Sequence, residues 1–142
     1  MSQQMAPVSV SGPVGGSVTW LARIVAFGGH GAQVSPGIYA LVPSDVAAIA
    51  CNVFDLSSAT PDVAAASPSI TADAISSELS QNAWTDPYGQ PMDSLGGNFM
   101  HSIDGAVFAL ADHVYRCEYL ITLGDGSIIP PFHFDNVPHA VT

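Results

Sequence analysis

The stretch Val114-Tyr115-Arg116-Cys117-Glu118-Tyr119-Leu120-Ile121-Thr122-Leu123, followed by Gly124-Asp125-Gly126-Ser127, decides the fold. Tyr115, Cys117, Tyr119 and Ile121 fall on one face, and Arg116 and Glu118 fall on the other, which is the period of a strand packed on one side. The glycine-rich tetrapeptide turns the chain, and Ser127 to Phe134 returns as the partner of a hairpin. Pro130 and Pro131 have no amide hydrogen to give to a ladder. The return segment is therefore expected at a sheet edge, or leaving the sheet at that point.

Working outward, Asn98 to Ile103 alternates too, with Phe99, His101 and Ile103 on one side. Val46 to Leu56 reads two ways. Ser44-Asp45 ahead of an alanine-rich run suits a helix cap, whereas Ile49, Cys51 and Val53 alternate and lead into Phe54, which favours a strand over 49–56. Near the start, Val18, Trp20, Ala22 and Ile24 form an apolar face, and Thr19, Leu21, Arg23 and Val25 form a mixed one. Gly28-Gly29-His30-Gly31 ends that strand. Ile38 to Val42 is a second apolar run, held between Pro36-Gly37 and Pro43.

The remaining segments read differently. Ser57 to Ser69 is polar and loop-like. Thr71 to Leu79 suits a short helical turn, because Ile75 and Leu79 are four apart and Asp73 lies in the first turn. Pro87, Gly89 and Pro91 make a loop after Trp84. Residues 1–16, rich in Ser, Gln, Pro and Gly, read as a flexible arm, and residues 17–142 as one β-sandwich domain. Short strands separated by Gly/Pro turns predict an all-β, antiparallel sandwich.

Composition narrows function. Arg23 and Arg116 are the only permanent cations, lysine is absent, and twelve Asp and Glu leave a net charge of −10. Charged residues make up 10% of the chain and hydrophobic ones 48%, where a soluble domain normally carries about a quarter charged. Such a surface suits a chain packed within an assembly. Nucleic acid and anionic membrane surfaces need clustered Lys or Arg and are expected not to be partners. No apolar run approaches the length of a membrane helix, and the N-terminus has no secretory-signal pattern, so synthesis in a cytoplasm is expected.

Chemistry is sparse. A Walker-type phosphate loop, a Schiff base and a Ser-Lys pair all need the missing lysine, and no G-x-S-x-G elbow occurs. Cys51 and Cys117 read as inward thiols on non-adjacent strands, able to face each other across a sandwich, with a reducing cytoplasm favouring free thiols. His30, His101, His113, His133 and His139 lack metal-site spacing. His133 and His139 are able to meet near the C-terminus, with Asp135 between them, and His101 reads as a hydrogen-bonded core or boundary residue. Asp86, Asp93, Asp104, Asp112 and Asp125 suit turns. Trp20 reads as core, and Trp84 with Tyr88 as a loop pair able to stack on a sugar or a partner. Arg23 is expected on the outward mixed face. Arg116 is expected to make a bidentate ion pair across strands or subunits. No catalytic, cofactor-binding or metal-ligating residue is assigned, no cofactor is expected, and the chain is read as not an enzyme.

The order Ile49-x-Cys51-x-Val53-Phe54-Asp55, Trp84, Asn98-Phe99-x-His101, Tyr115-Arg116-x-Glu118-Tyr119, Gly126 resembles small virion proteins of tailed bacteriophages, in particular the immunoglobulin-like domain of phage baseplate upper proteins. The resemblance spans Ser17 to Phe134 and rests on packing motifs. It implies an immunoglobulin-like sandwich and a structural virion protein, foremost a capsid decoration (cement) protein, with a neck, tail or baseplate component as the alternative. The implied partners are the major capsid protein or other virion proteins and copies of the chain itself, and the implied location is the virion. A carbohydrate-binding module is the competing reading of another class.

Overall fold

The structure, a computed structural model, describes residues 2–4, 13–80 and 95–140. Among them the chain is all-β, its helical parts being three-residue 3₁₀ turns at Pro43–Asp45, Ala72–Ala74 and Gly105–Val107. The strands are β1 (Ser2–Gln4), β2 (Val18–Ala22), β3 (Ile24–Ala26), β4 (Gln33–Ser35), β5 (Ile38–Ala40) and β6 (Val46–Asp55), followed by β7 (Ala64–Ala66), β8 (Ile75–Ser80), β9 (Gly97–Ile103), β10 (Tyr115–Leu123) and β11 (Phe132–Asn136). They form three antiparallel sheets, ordered β11-β10-β6-β7, β2-β9-β8 and β1-β3-β5-β4.

The first two sheets pack face to face as a sandwich, and aromatic rings mark the seam. Trp20 of β2 stacks on Phe134 of β11 at 4.8 Å, and Phe99 of β9 meets Tyr119 and Phe132 edge-on at 5.0 and 5.6 Å. These are preferred ring geometries, and each pair adds about 1 kcal/mol beyond the area it buries. Tyr115, Cys117, Tyr119 and Ile121 all point into this core, as their alternation predicts.

The hairpin matches its reading closely. Leu123 N–H donates to Ser127 O at 2.8 Å, Gly126 N–H donates to Leu123 O at 2.9 Å, and Gly126 has φ +89, a conformation that glycine adopts without strain. Thr122 bridges Ile128, the two prolines then interrupt the ladder, and β11 resumes as an edge strand. The strand read at 49–56 runs instead from Val46 to Asp55, with Ser44-Asp45 in the 3₁₀ turn that leads into it.

Four expectations are corrected. Ser57 to Ser69 is not loop throughout, because Ala64–Ala66 adds to β6 as an edge strand. Of the helical turn over Thr71–Leu79, the structure keeps Ala72–Ala74; from Ile75 the chain is extended and pairs with β9, since that ladder and the burial of Ile75 outweigh one more turn. Cys51 and Cys117 do not face each other across the sandwich. They lie on neighbouring strands of one sheet, where Cys117 is opposite Val53 and Cys51 is opposite Tyr119.

The fourth correction is Arg23. It separates β2 from β3 and is 2% exposed, with Leu21 and Val25 buried beside it. A guanidinium goes inside when its apolar stem is packed and its N–H groups find acceptors; here Nη1 donates to Gly96 O at 3.1 Å. The alternation from Val18 to Val25 therefore marks two different buried faces.

Within the segment read as an arm, Ser2–Gln4 pairs with β3, and Val14 N–H donates to His139 O at 2.8 Å. A Cβ at Gly105 would stand 2.1 Å from Gly15 O, so only glycine lets that backbone lie against the body. The loop after Trp84, with Tyr88, Asp86 and Asp93, lies outside the described residues.

Candidate functional site

An open cleft of about 550 Å³ lies between the glycine turn after β3, the Pro43–Asp45 turn and the β10 hairpin. Asp45 builds it. Its Oδ2 accepts from Val42 N–H at 3.0 Å and from His30 N–H at 3.1 Å, its Oδ1 meets His30 Nδ1, and its backbone oxygen accepts from Gly124 N–H at 3.0 Å. One residue thus ties three chain segments together. Burial works to raise the Asp45 pKa, but the amide of Val42 and the ring and amide of His30 outweigh it and hold the carboxyl below its ordinary value.

On the opposite wall, Asp125 Oδ1 accepts from Ser127 N–H at 2.9 Å and Ser127 Oγ at 2.6 Å. Those bonds hold its carboxyl below the ordinary range as well. Phe27 and Ile128 stand exposed among the lining residues, with the half-buried Leu123 contributing further apolar surface. Among the described residues no hydroxyl or thiol bonds to His30, so an aspartate and an imidazole are in place without a nucleophile.

The other histidines are spread over the molecule. His113 Nδ1 lies 3.0 and 2.9 Å from the two oxygens of Asp55. His101 is buried on β9, with Nδ1 2.7 Å from the Tyr119 hydroxyl and Nε2 3.1 Å from Ser69 O, in line with its reading as a hydrogen-bonded core or boundary residue. His133 faces outward on β11 opposite Glu118, whereas His139 bridges Pro13, so the two are not brought together. Among the described residues no three His, Cys, Asp or Glu side chains converge as a metal site. Asp104 caps its turn by accepting from Ala106 N–H at 2.9 Å, the local role expected of turn aspartates.

Arg116 makes the cross-strand fork its position predicts: Nε and Nη2 donate to the two oxygens of Asp135 at 2.9 and 3.2 Å. Sequence reasoning missed the His30–Asp45 and His113–Asp55 pairs. Their partners are 15 and 58 residues apart. Only the turn-capping character of Asp45 hinted at the first.

Two predictions arise here. Burial lowers the His101 pKa below its ordinary 6.5, because the charged ring would lose water, and the Ser69 carbonyl offsets only part of this. As pH falls below about 6.5, the unfolded chain gains a proton at this ring that the folded chain refuses. Stability should therefore drop with acid, at a slope approaching about 1.4 kcal/mol per pH unit, until the depressed folded value is reached. Urea titrations at stepped pH should show this slope in the wild type and a shallower one in His101→Phe. Equal slopes would refute the assignment.

The thiols give the second. Burial pushes Cys51 up to about 11, with a Tyr119 contact opposing, and Cys117 up to about 12, with a Trp20 contact opposing. Both cysteines are free and buried. A thiol that is neither ionised nor reachable does not react. Ellman's reagent at pH 8 should find no thiol in the folded protein and two per chain in denaturant; prompt labelling of the native state would contradict this packing.

Among the described residues no helix is long and apolar enough to cross a membrane. No protein-family model, curated protein or solved structure matches this chain.

Proposed function

We propose that this chain is a structural protein of a tailed-bacteriophage virion, serving as a capsid decoration (cement) protein that stabilises the head, with its sandwich related to the immunoglobulin-like domain of phage baseplate upper proteins. The observation that carries this reading is how the chain distributes charge and apolar surface. Its two arginines are both committed within the fold, one buried and one paired with Asp135. Phe27, Val63, Leu110, Ile128 and Val137 are all close to or above half exposed. A lysine-free surface with large apolar side chains at its loops and hairpin suits a protein that works against other protein. Its partners would be the major capsid protein or other virion proteins and further copies of itself, in the virion, after synthesis in the host cytoplasm.

The test is sedimentation of the purified protein, alone and with capsids lacking it. Co-sedimentation that persists in high salt is expected, because apolar burial is not screened. A stable monomer with no affinity for particles would overturn the proposal. Position of the gene among capsid, portal and tail genes is the independent check.

A further inference from the structure

The cleft between the His30 turn and the β10 hairpin has a feature that the particle reading does not use. It joins an apolar rim to carboxylates that have no arginine beside them. Asp45 is set by His30 and Val42, Asp125 by Ser127, and both arginines are engaged elsewhere, Arg23 with Gly96 O and Arg116 with Asp135. With twelve acidic residues against two arginines, the chain has no lysine to send there. We infer that this cleft is a socket for a lysine or arginine side chain of a partner protein. The apolar stem lies along Phe27 and Ile128, and the cationic head reaches Asp125 with Asp45 behind it.

The donor geometry selects this occupant over others. An anionic ligand would meet the exposed Asp125 carboxylate. A divalent cation needs several free oxygens converging on one point, yet both Asp45 oxygens already accept hydrogen bonds and Asp125 Oδ1 accepts two. Asp125 Oδ2 takes none of the bonds from Ser127 and the residue is exposed, so this oxygen is placed to accept an incoming N–H. What remains is negative charge beside exposed apolar surface, which matches a long side chain with a greasy stem and a charged end. Phe27 is 47% and Ile128 61% exposed, and covering both with the stem removes apolar area that the fold itself leaves in water. This inference stands on the cleft alone, whether or not the chain decorates a particle.

The full chain, isotopically labelled, is titrated with capped heptapeptides whose central residue is Lys, Arg, norleucine or Glu, and the Phe27, Ile128 and His30 NMR signals are followed. Lys and Arg peptides should shift these signals saturably in the millimolar range, with norleucine at least about fivefold weaker and Glu weaker still. Asp125→Asn should weaken Lys-peptide binding about threefold while signals outside the hairpin stay in place. Should that variant disturb the hairpin, the peptide series in the wild type decides alone. Equal affinity for Lys and norleucine, no shift by about 10 mM peptide, or saturable shifts with calcium chloride but not with the Lys peptide would each overturn the proposal.

Discussion

Trp20→Ala should lose about 3–5 kcal/mol of folding stability, the usual range when a large buried aromatic is cut back and the space cannot collapse. Trp20 is fully buried, and its ring stacks on Phe134 at 4.8 Å with 16° between the planes. That contact joins β2 of one sheet to β11 of the other, so removing the ring opens a void between two layers that turns and ladders hold at fixed spacing. A domain of this size has about 5–15 kcal/mol in all, so this change alone takes a large share. Urea unfolding followed by circular dichroism should show a much lower midpoint with an unchanged slope, since the surface exposed on unfolding stays nearly the same. Trp20→Phe keeps a ring against Phe134 and should lose roughly half of that or less. An alanine variant with a wild-type midpoint would mean that the two sheets do not depend on this seam.

The strands around that seam were legible because their residues are packed on one side. Alternation is a direct consequence of a half-buried strand, and 115–123, 97–103 and the inner face of 18–26 follow it. The same logic failed where both faces are covered. Leu21, Arg23 and Val25 alternate with the core residues, and a charged residue in such a row reads as solvent-facing, yet all three are buried. Nothing local in the sequence tells that a backbone carbonyl 73 residues away will receive the guanidinium. Three-residue edge strands such as Ala64–Ala66 are equally silent, because their stability comes from the neighbour they join and not from their own propensity. The cleft was invisible for a third reason. Asp45, His30 and the Gly124 turn are ordinary turn residues singly, and only the topology that folds the hairpin over the Pro43–Asp45 turn makes them one site.

Asn98 carries the other large effect, and its role concerns the junction between sheets. The Asn98 side chain is fully inside. Oδ1 accepts from Ile24 N–H at 2.7 Å, and Nδ2 donates to Ile24 O at 3.0 Å and to Leu41 O at 2.9 Å. It therefore supplies, from β9, the backbone partners that β3 and the end of β5 lack where the chain passes from one sheet into the next. Asn98→Leu keeps the approximate volume but strands the Ile24 amide and the Leu41 carbonyl, while Ile24 O retains the Leu41 amide at 3.0 Å. Leaving two buried backbone groups unsatisfied at about 1–3 kcal/mol each predicts a loss of about 3 kcal/mol or more. Hydrogen exchange should localise the damage, with the amides of Ile24 and Leu41 losing protection before those of β10. Asn98→Asp separates hydrogen bonding from packing. Its carboxylate can still accept from Ile24 N–H but faces two carbonyls, which favours the protonated acid and raises its folded pKa. A raised folded pKa gives stability that grows as pH falls, so Asn98→Asp should gain on Asn98→Leu between about pH 7 and pH 4. If the two variants keep a constant difference across that range, the side chain at this position is filling space and not holding the backbone together.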